Sequence, residues 1–255
     1  MSAIDNELLT YLFDGQVHPL VEPMGAWLAS SRRFTNFVTI FRNKIRKKLR
    51  TAPDRETVLD LQLELETAYL LLREKSLSLV YEPEQREHGR SPDFAVTFTT
   101  SLTFMVEVTR LRAVQRKTSA ELLPVSFADG ASPLPPIADA LADTVCNKLG
   151  QFLAQCSNVL IVGVEALGLT QGDVQAAMLR VQRRAEGSES DFLQRYGFRN
   201  RSDFFERYQR LTGILLRASK VQDQESVVAW LNPQGKYPLP SKVKTALYHS
   251  HMLNA

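Results

Sequence analysis

The run "NVLIVGVEA" at 158–166 constrains the fold of this chain more than any other stretch. It is apolar without alternation, the pattern of a strand buried on both faces. A strand of that kind sits inside a sheet with cover on either side. Three further runs precede it, "SLSLVYEP" (76–83), "DFAVTFT" (93–99) and "LTFMVEVTRL" (102–111), and all three read as strands. Thr99, Thr100 and Ser101 make a tight connection between the last two, so they are expected to form an antiparallel hairpin. A helix beginning at Pro53 and Asp54 runs to about Lys75, with Leu61, Leu65, Ala68 and Leu72 as its apolar stripe. The Pro-rich "SPLPPIAD" leads into a second helix from about Ile137 to Gln155. The core order is helix, three strands, helix, buried strand, which makes the fold class α/β.

The flanks are read in the same way. Pro23 interrupts an early apolar segment, and a helix follows with Phe34, Phe37, Val38, Phe41, Ile45 and Leu49 at helical spacing. After the buried strand come a helix near 171–185, the polar-aromatic "GSESDFLQRYGFRNRSDFFERYQRL", two strands ("TGILLRAS" and "SVVAWLN") and a last short helix. This divides the chain into a helical N-terminal region, 1–52, and an α/β domain, 53–255. With 255 residues and 44% hydrophobic content, the chain can bury a sizeable core.

Two carboxylates stand out against the strand pattern. Asp93 follows Pro92 and opens one strand; Glu107 lies between Val106 and Val108 near the end of the next. Residues two apart on a strand share a face, so Glu107 and Thr109 point together. Pairing the two strands around the short turn brings Asp93 to the far end of the ladder, roughly beside Glu107. Two carboxylates with the Val108 carbonyl near them give a hard, all-oxygen set of the kind Mg²⁺ prefers. A metal held there can orient water and neutralise charge on a phosphate. The same two acids also suit the wet face of an ordinary hairpin.

Pro92-Asp93, a turn-length gap, then Glu107-Val108-Thr109 at the end of the next strand resembles the PD-(D/E)XK superfamily, the restriction-endonuclease-like nucleases. The expected αβββαβ order, over residues 55–166, is similar to that superfamily's common core. The resemblance implies a mixed sheet, Mg²⁺ or Mn²⁺ as cofactor, and hydrolysis of phosphodiester bonds. It makes Asp93 and Glu107 the metal ligands, with Glu64 or Glu66 on the preceding helix assisting and Glu64 preferred. The chain departs from the motif at Thr109, which stands where the family carries a lysine; a hydroxyl supplies no positive charge. Arg110 is adjacent but is expected on the opposite face. Some members take the basic group from the following helix, and "NKLGQF" offers Lys148 with Gln151 three residues on.

The other signals concern partners. From Arg32 to Arg50 the chain has five arginines, three lysines and no acid. Arg42, Lys44, Arg46, Lys47 and Lys48 on that helix are candidates for nucleic-acid phosphates, since neutralising phosphates releases counterions. A solvated face above the phenylalanine stripe or an anionic membrane surface would suit the same pattern. The net charge of +3 names no partner. No apolar run approaches the roughly 18 residues of a membrane span, and no basic segment followed by a long apolar core opens the chain, so a secretory signal is not expected. Cys146 and Cys156 lack metal-site spacing, so free thiols and a reducing, cytoplasmic location are expected. His249 and His251 read as a polar tail, and His88 as a solvated loop histidine, with an approach to the acids as the alternative. No P-loop, dinucleotide fingerprint or nucleophile elbow is present. Two functions fit: a metal-dependent nuclease acting on nucleic acid, with DNA the expected substrate, or a nuclease-fold binding or interaction module that has lost turnover. A homodimer is compatible with either.

Overall fold

A computed structural model describes residues 2–83, 91–111, 136–164, 169–187, 189–218, 227–250 and 252. Four helices come first: α1 (Ala3–Phe13), α2 (Val21–Ser30), α3 (Arg32–Thr51) and α4 (Arg55–Leu71). Then come β1 (Leu77–Tyr81), β2 (Phe94–Phe98), β3 (Leu102–Arg110), α5 (Pro136–Lys148) and β4 (Asn158–Val164). The remainder is α6 (Gln171–Glu186), α7 (Ser190–Arg195), α8 (Arg201–Tyr208), β5 (Leu211–Ala218), β6 (Val227–Leu231) and α9 (Ser241–His249). Among the described residues this is an α/β protein with nine α-helices and one six-stranded mixed sheet.

The strands lie in chain order, β1 to β6. β1, β2 and β3 form an antiparallel meander, β3, β4 and β5 are parallel, and β6 returns antiparallel. β4 is buried along its whole length. Its Val159 and Ile161 enter one core with α1–α4 and α9, while Leu160, Val162 and Val164 enter the other with α5–α8. Each such side chain contributes about 1.5–3 kcal/mol through burial, which is why this strand tolerates no polar alternation. The N-terminal helices have no core of their own. Leu12, Phe34 and Ile45 pack in one cluster with Tyr81, Phe94 and Val106 of the sheet, so helices α1 to α3 are fastened to the sheet that follows them.

Several local expectations need correction. The early segment that Pro23 interrupts becomes the first turn of α2, with Pro23 at a position where an amide has no intrahelical acceptor in any case. α4 stops at Leu71 rather than near Lys75, because the Arg33 guanidinium donates to the carbonyls of Leu72 (2.8 Å), Glu74 (2.5 Å) and Leu77 at its exit. α5 ends at Lys148, not Gln155, and tightens into a 3₁₀ turn over Leu149–Gln151 around the poor helix former Gly150. The polar-aromatic segment contains two helices, the second capped by the Asn200 side chain accepting from the Asp203 amide (2.9 Å).

Candidate functional site

The β2–β3 register places Phe94 against Val106. One more step along both strands sets Asp93 against Glu107. The amides of Met105 and Leu111 donate to β4-side carbonyls, those of Ser157 (2.8 Å) and Gly163 (2.7 Å). Odd-numbered residues of β3 therefore turn their backbone toward β4, and even-numbered ones toward β2. At Val108 β2 has ended, and the free amide donates instead to Asp93 Oδ2 at 2.7 Å. By the same alternation the Val108 carbonyl leaves β3 on the Asp93 side.

α5 brings its last residue onto the same end of the sheet. Lys148 Nζ lies 2.6 Å from Glu107 Oε1 and 3.2 Å from Gln151 Oε1. Glu107 is buried, and the ammonium is its ion-pair partner. Thr109 is half-buried and uncharged. Arg110 reaches the opposite face of the sheet, where its guanidinium meets Glu56 (3.1 Å) and Asp60 (3.6 Å) of α4.

The other wall comes from α3 and α4. Glu64 is buried on α4, its Oε1 2.6 Å from Lys48 Nζ. The same ammonium lies 2.7 Å from Glu82 Oε1 and 4.8 Å from the centre of the Tyr81 ring. Lys44 donates to the carbonyls of Tyr81 (3.2 Å) and Glu82 (2.9 Å). Glu66 faces away from this group and pairs with Arg217 at 3.3 Å.

The electrostatics follow from this crowding. Burial pushes the Asp93 carboxyl well above the usual carboxylate range, and the charges of Glu64 and Glu107 push it the same way; the Val108 amide and Lys48 oppose the shift. Among the described residues no ammonium or guanidinium pairs with Asp93. Burial also raises Glu64, with Lys48 opposing. Burial alone would lower the Lys48 ammonium, but Glu64 and Glu82 outweigh it and hold it above its ordinary value. Lys44, Glu82, Ser91, Asp93, Glu107, Lys148 and Gln151 line one open cleft of about 530 Å³. A larger groove of about 730 Å³ over α7 and α8 is lined by no acid.

The basic helix is divided among several tasks. Lys44 and Lys48 face the cleft region. Arg46 and Arg50 pair with Asp14 at the end of α1, and Arg42 and Arg46 lie over the Tyr11 ring. Lys47 is exposed. Sequence reasoning did not find Glu82 as part of the site. Its place depends on a left-handed backbone turn (φ 44°), and no residue type in "YEPEQ" announces one. His88 and His251 fall outside the described residues; His249 lies 3.5 Å from Glu74 on another part of the surface.

Among the described residues, no three His, Cys, Asp or Glu side chains form a ready-made metal cage. A divalent cation at the cleft would instead have two carboxylates, Asp93 and Glu107, with the Val108 carbonyl and water completing its shell. That donor set fits Mg²⁺, which keeps several waters when bound by one or two carboxylates. The mutual repulsion raising Asp93 is relieved by such a charge. Compared with models of known families, with curated proteins and with solved structures, the chain gives no match. Among the described residues, no helix is long and apolar enough to cross a membrane.

Proposed function

We propose that this cleft hydrolyses phosphodiester bonds of DNA with the help of Mg²⁺ or Mn²⁺, on a restriction-endonuclease-like core. The observation that carries the reading is the junction of Asp93, Glu107 and Lys148 in one cleft, the last two 2.6 Å apart. The order α4, β1, β2, β3, α5, β4, with an antiparallel hairpin feeding a parallel pair, supports the αβββαβ assignment.

In this reading Asp93, Glu107 and the Val108 carbonyl hold the metal, which supplies Lewis-acid stabilisation and a water of lowered pKa. Glu64 is the assisting helix acid, fixed by Lys48. Lys148 supplies the positive charge that Thr109 lacks. Its ammonium stands at the wall where charge grows on the phosphate, and fixed charges aimed at such a point are among the larger catalytic terms. Gln151 accepts from Lys148 and limits its rotation. Lys44 and Lys48 favour the polyanion at the adjoining wall.

A second reading, a binding module without turnover, draws on the ion pairs Lys148–Glu107 and Lys48–Glu64, which neutralise acids within the chain. Cleavage of varied DNA substrates with Mg²⁺ or Mn²⁺ separates the two. The nuclease reading predicts cleavage by the wild type and none by Asp93→Asn. DNA binding without cleavage under either metal would favour the module.

A further inference from the structure

Glu82 is the acid of this cleft that the proposed reaction leaves without a task. It is also a residue with a side chain held at positive φ, 44°, a backbone state that a Cβ disfavours. Two contacts pin it there. Its amide donates to the Asp93 carbonyl at 2.8 Å, and its own carbonyl accepts from Lys44 at 2.9 Å. The turn aims the carboxylate back at α3, where Oε1 meets Lys48 at 2.7 Å and Oε2 lies 4.0 Å from Lys44.

Resting on the nucleic-acid reading of this cleft, we propose that Lys44 and Lys48 form a phosphate subsite and that Glu82 is its internal occupant, displaced when a phosphodiester binds. A carboxylate spanning two ammonium groups presents two anionic oxygens, as a phosphodiester does. The site as a whole supports an exchange over simple addition. Lys44 and Lys48 already face two carboxylates there, Glu82, which reaches both, and Glu64, which lies 2.6 Å from Lys48. A further anion enters such a balance when one carboxylate withdraws. Glu64 is buried beneath Lys48, Asp93 is held by the Val108 amide at 2.7 Å, and buried Glu107 is held by Lys148 at 2.6 Å. Glu82 stands at the cleft wall with a third of its side chain exposed, so it can turn to solvent.

The exchange predicts a gain of function on removing the charge. Binding of a short fluorescein-labelled DNA duplex is measured by anisotropy in EDTA, without divalent metal, over a series of NaCl concentrations. Glu82→Gln keeps the shape and should bind about two- to fivefold tighter than wild type, the range that one partly exposed ion pair is worth. Its plot of log K against log salt should steepen by up to about 0.9, because in the wild type the displaced carboxylate takes up a cation and offsets one released from DNA. Glu82→Gly, which accepts the left-handed turn without strain, should show the same two changes and carries the test if the Gln variant does not fold. Binding that is unchanged or weaker in both variants overturns the subsite. If wild type cleaves DNA with Mg²⁺ yet neither variant binds tighter, the subsite fails and the nuclease reading stands. If both variants bind tighter while wild type never cleaves, the subsite stands and catalysis falls. Absence of DNA binding by all three proteins overturns the subsite.

Discussion

Replacing Asp93 by Asn should make the protein more stable. The site holds Asp93 half-buried between Glu64 and Glu107 with no cation of its own among the described residues. Its carboxyl is raised above the unfolded value of about 3.9, chiefly by burial and then by those two charges. The sign follows from linkage: the native state binds this proton more tightly than the unfolded chain, so stability falls as pH rises from the unfolded value through the raised native one. Above that window the full penalty is present. Asparagine carries no charge, and its Oδ1 can still accept from the Val108 amide, which lies 2.7 Å from the carboxylate. The expected gain near neutral pH is about 1–2 kcal/mol, the scale of removing one penalised charge while keeping its hydrogen bond. For a domain of this size that is a rise in Tm of about 2–8 °C. Differential scanning calorimetry across pH is the assay. The gap between the two proteins should close as pH falls below about 4, where the wild-type carboxyl is protonated in both states. Mn²⁺ should raise the Tm of wild type and leave that of the variant in place. A variant less stable than wild type near neutrality, or a gap that does not change with pH, would refute the electrostatic reasoning.

Two further outcomes are expected. A Cβ on Gly213 would lie 2.9 Å from the Trp230 carbonyl oxygen and 3.1 Å from Leu231 Cδ2 across the β5–β6 ladder, so Gly213→Ala should cost about 1–3 kcal/mol; a urea midpoint equal to wild type would show that β6 shifts freely. Lys148→Ala should slow Mg²⁺-dependent cleavage about a hundredfold or more with metal affinity no weaker than in wild type, because the ammonium is no ligand and its ion pair competes with the metal for Glu107; equal cleavage by the two proteins would assign Lys148 to structure alone.

The parts of this molecule that depend on local pattern were legible in the sequence. The unbroken apolar run of β4 implied cover on both faces, and it packs into both cores. The three-residue gap after Phe98 fixed the hairpin register, and that register alone brings Asp93 opposite Glu107. Helix ends were less legible, because what stops α4 is the guanidinium of Arg33, far away in sequence. The same applies to the wall built by α3. Eight basic residues in one helix suggest a polyanion surface, but the pattern does not say that Arg46 and Arg50 are engaged by Asp14 while Lys48 turns to Glu64 and Glu82. Those pairings join elements distant along the chain. Periodicity within one element carries no information about them.

The central claim is that Asp93 and Glu107 bind a divalent metal, and crystals soaked in Mn²⁺ test it most directly through the anomalous signal of the ion. The account predicts one peak in the cleft, about 2.0–2.5 Å from a carboxylate oxygen of each acid and from the Val108 carbonyl, with water filling the remaining positions. An empty cleft at saturating Mn²⁺, or carboxylates standing more than about 8 Å apart and so beyond the reach of one ion, would contradict it.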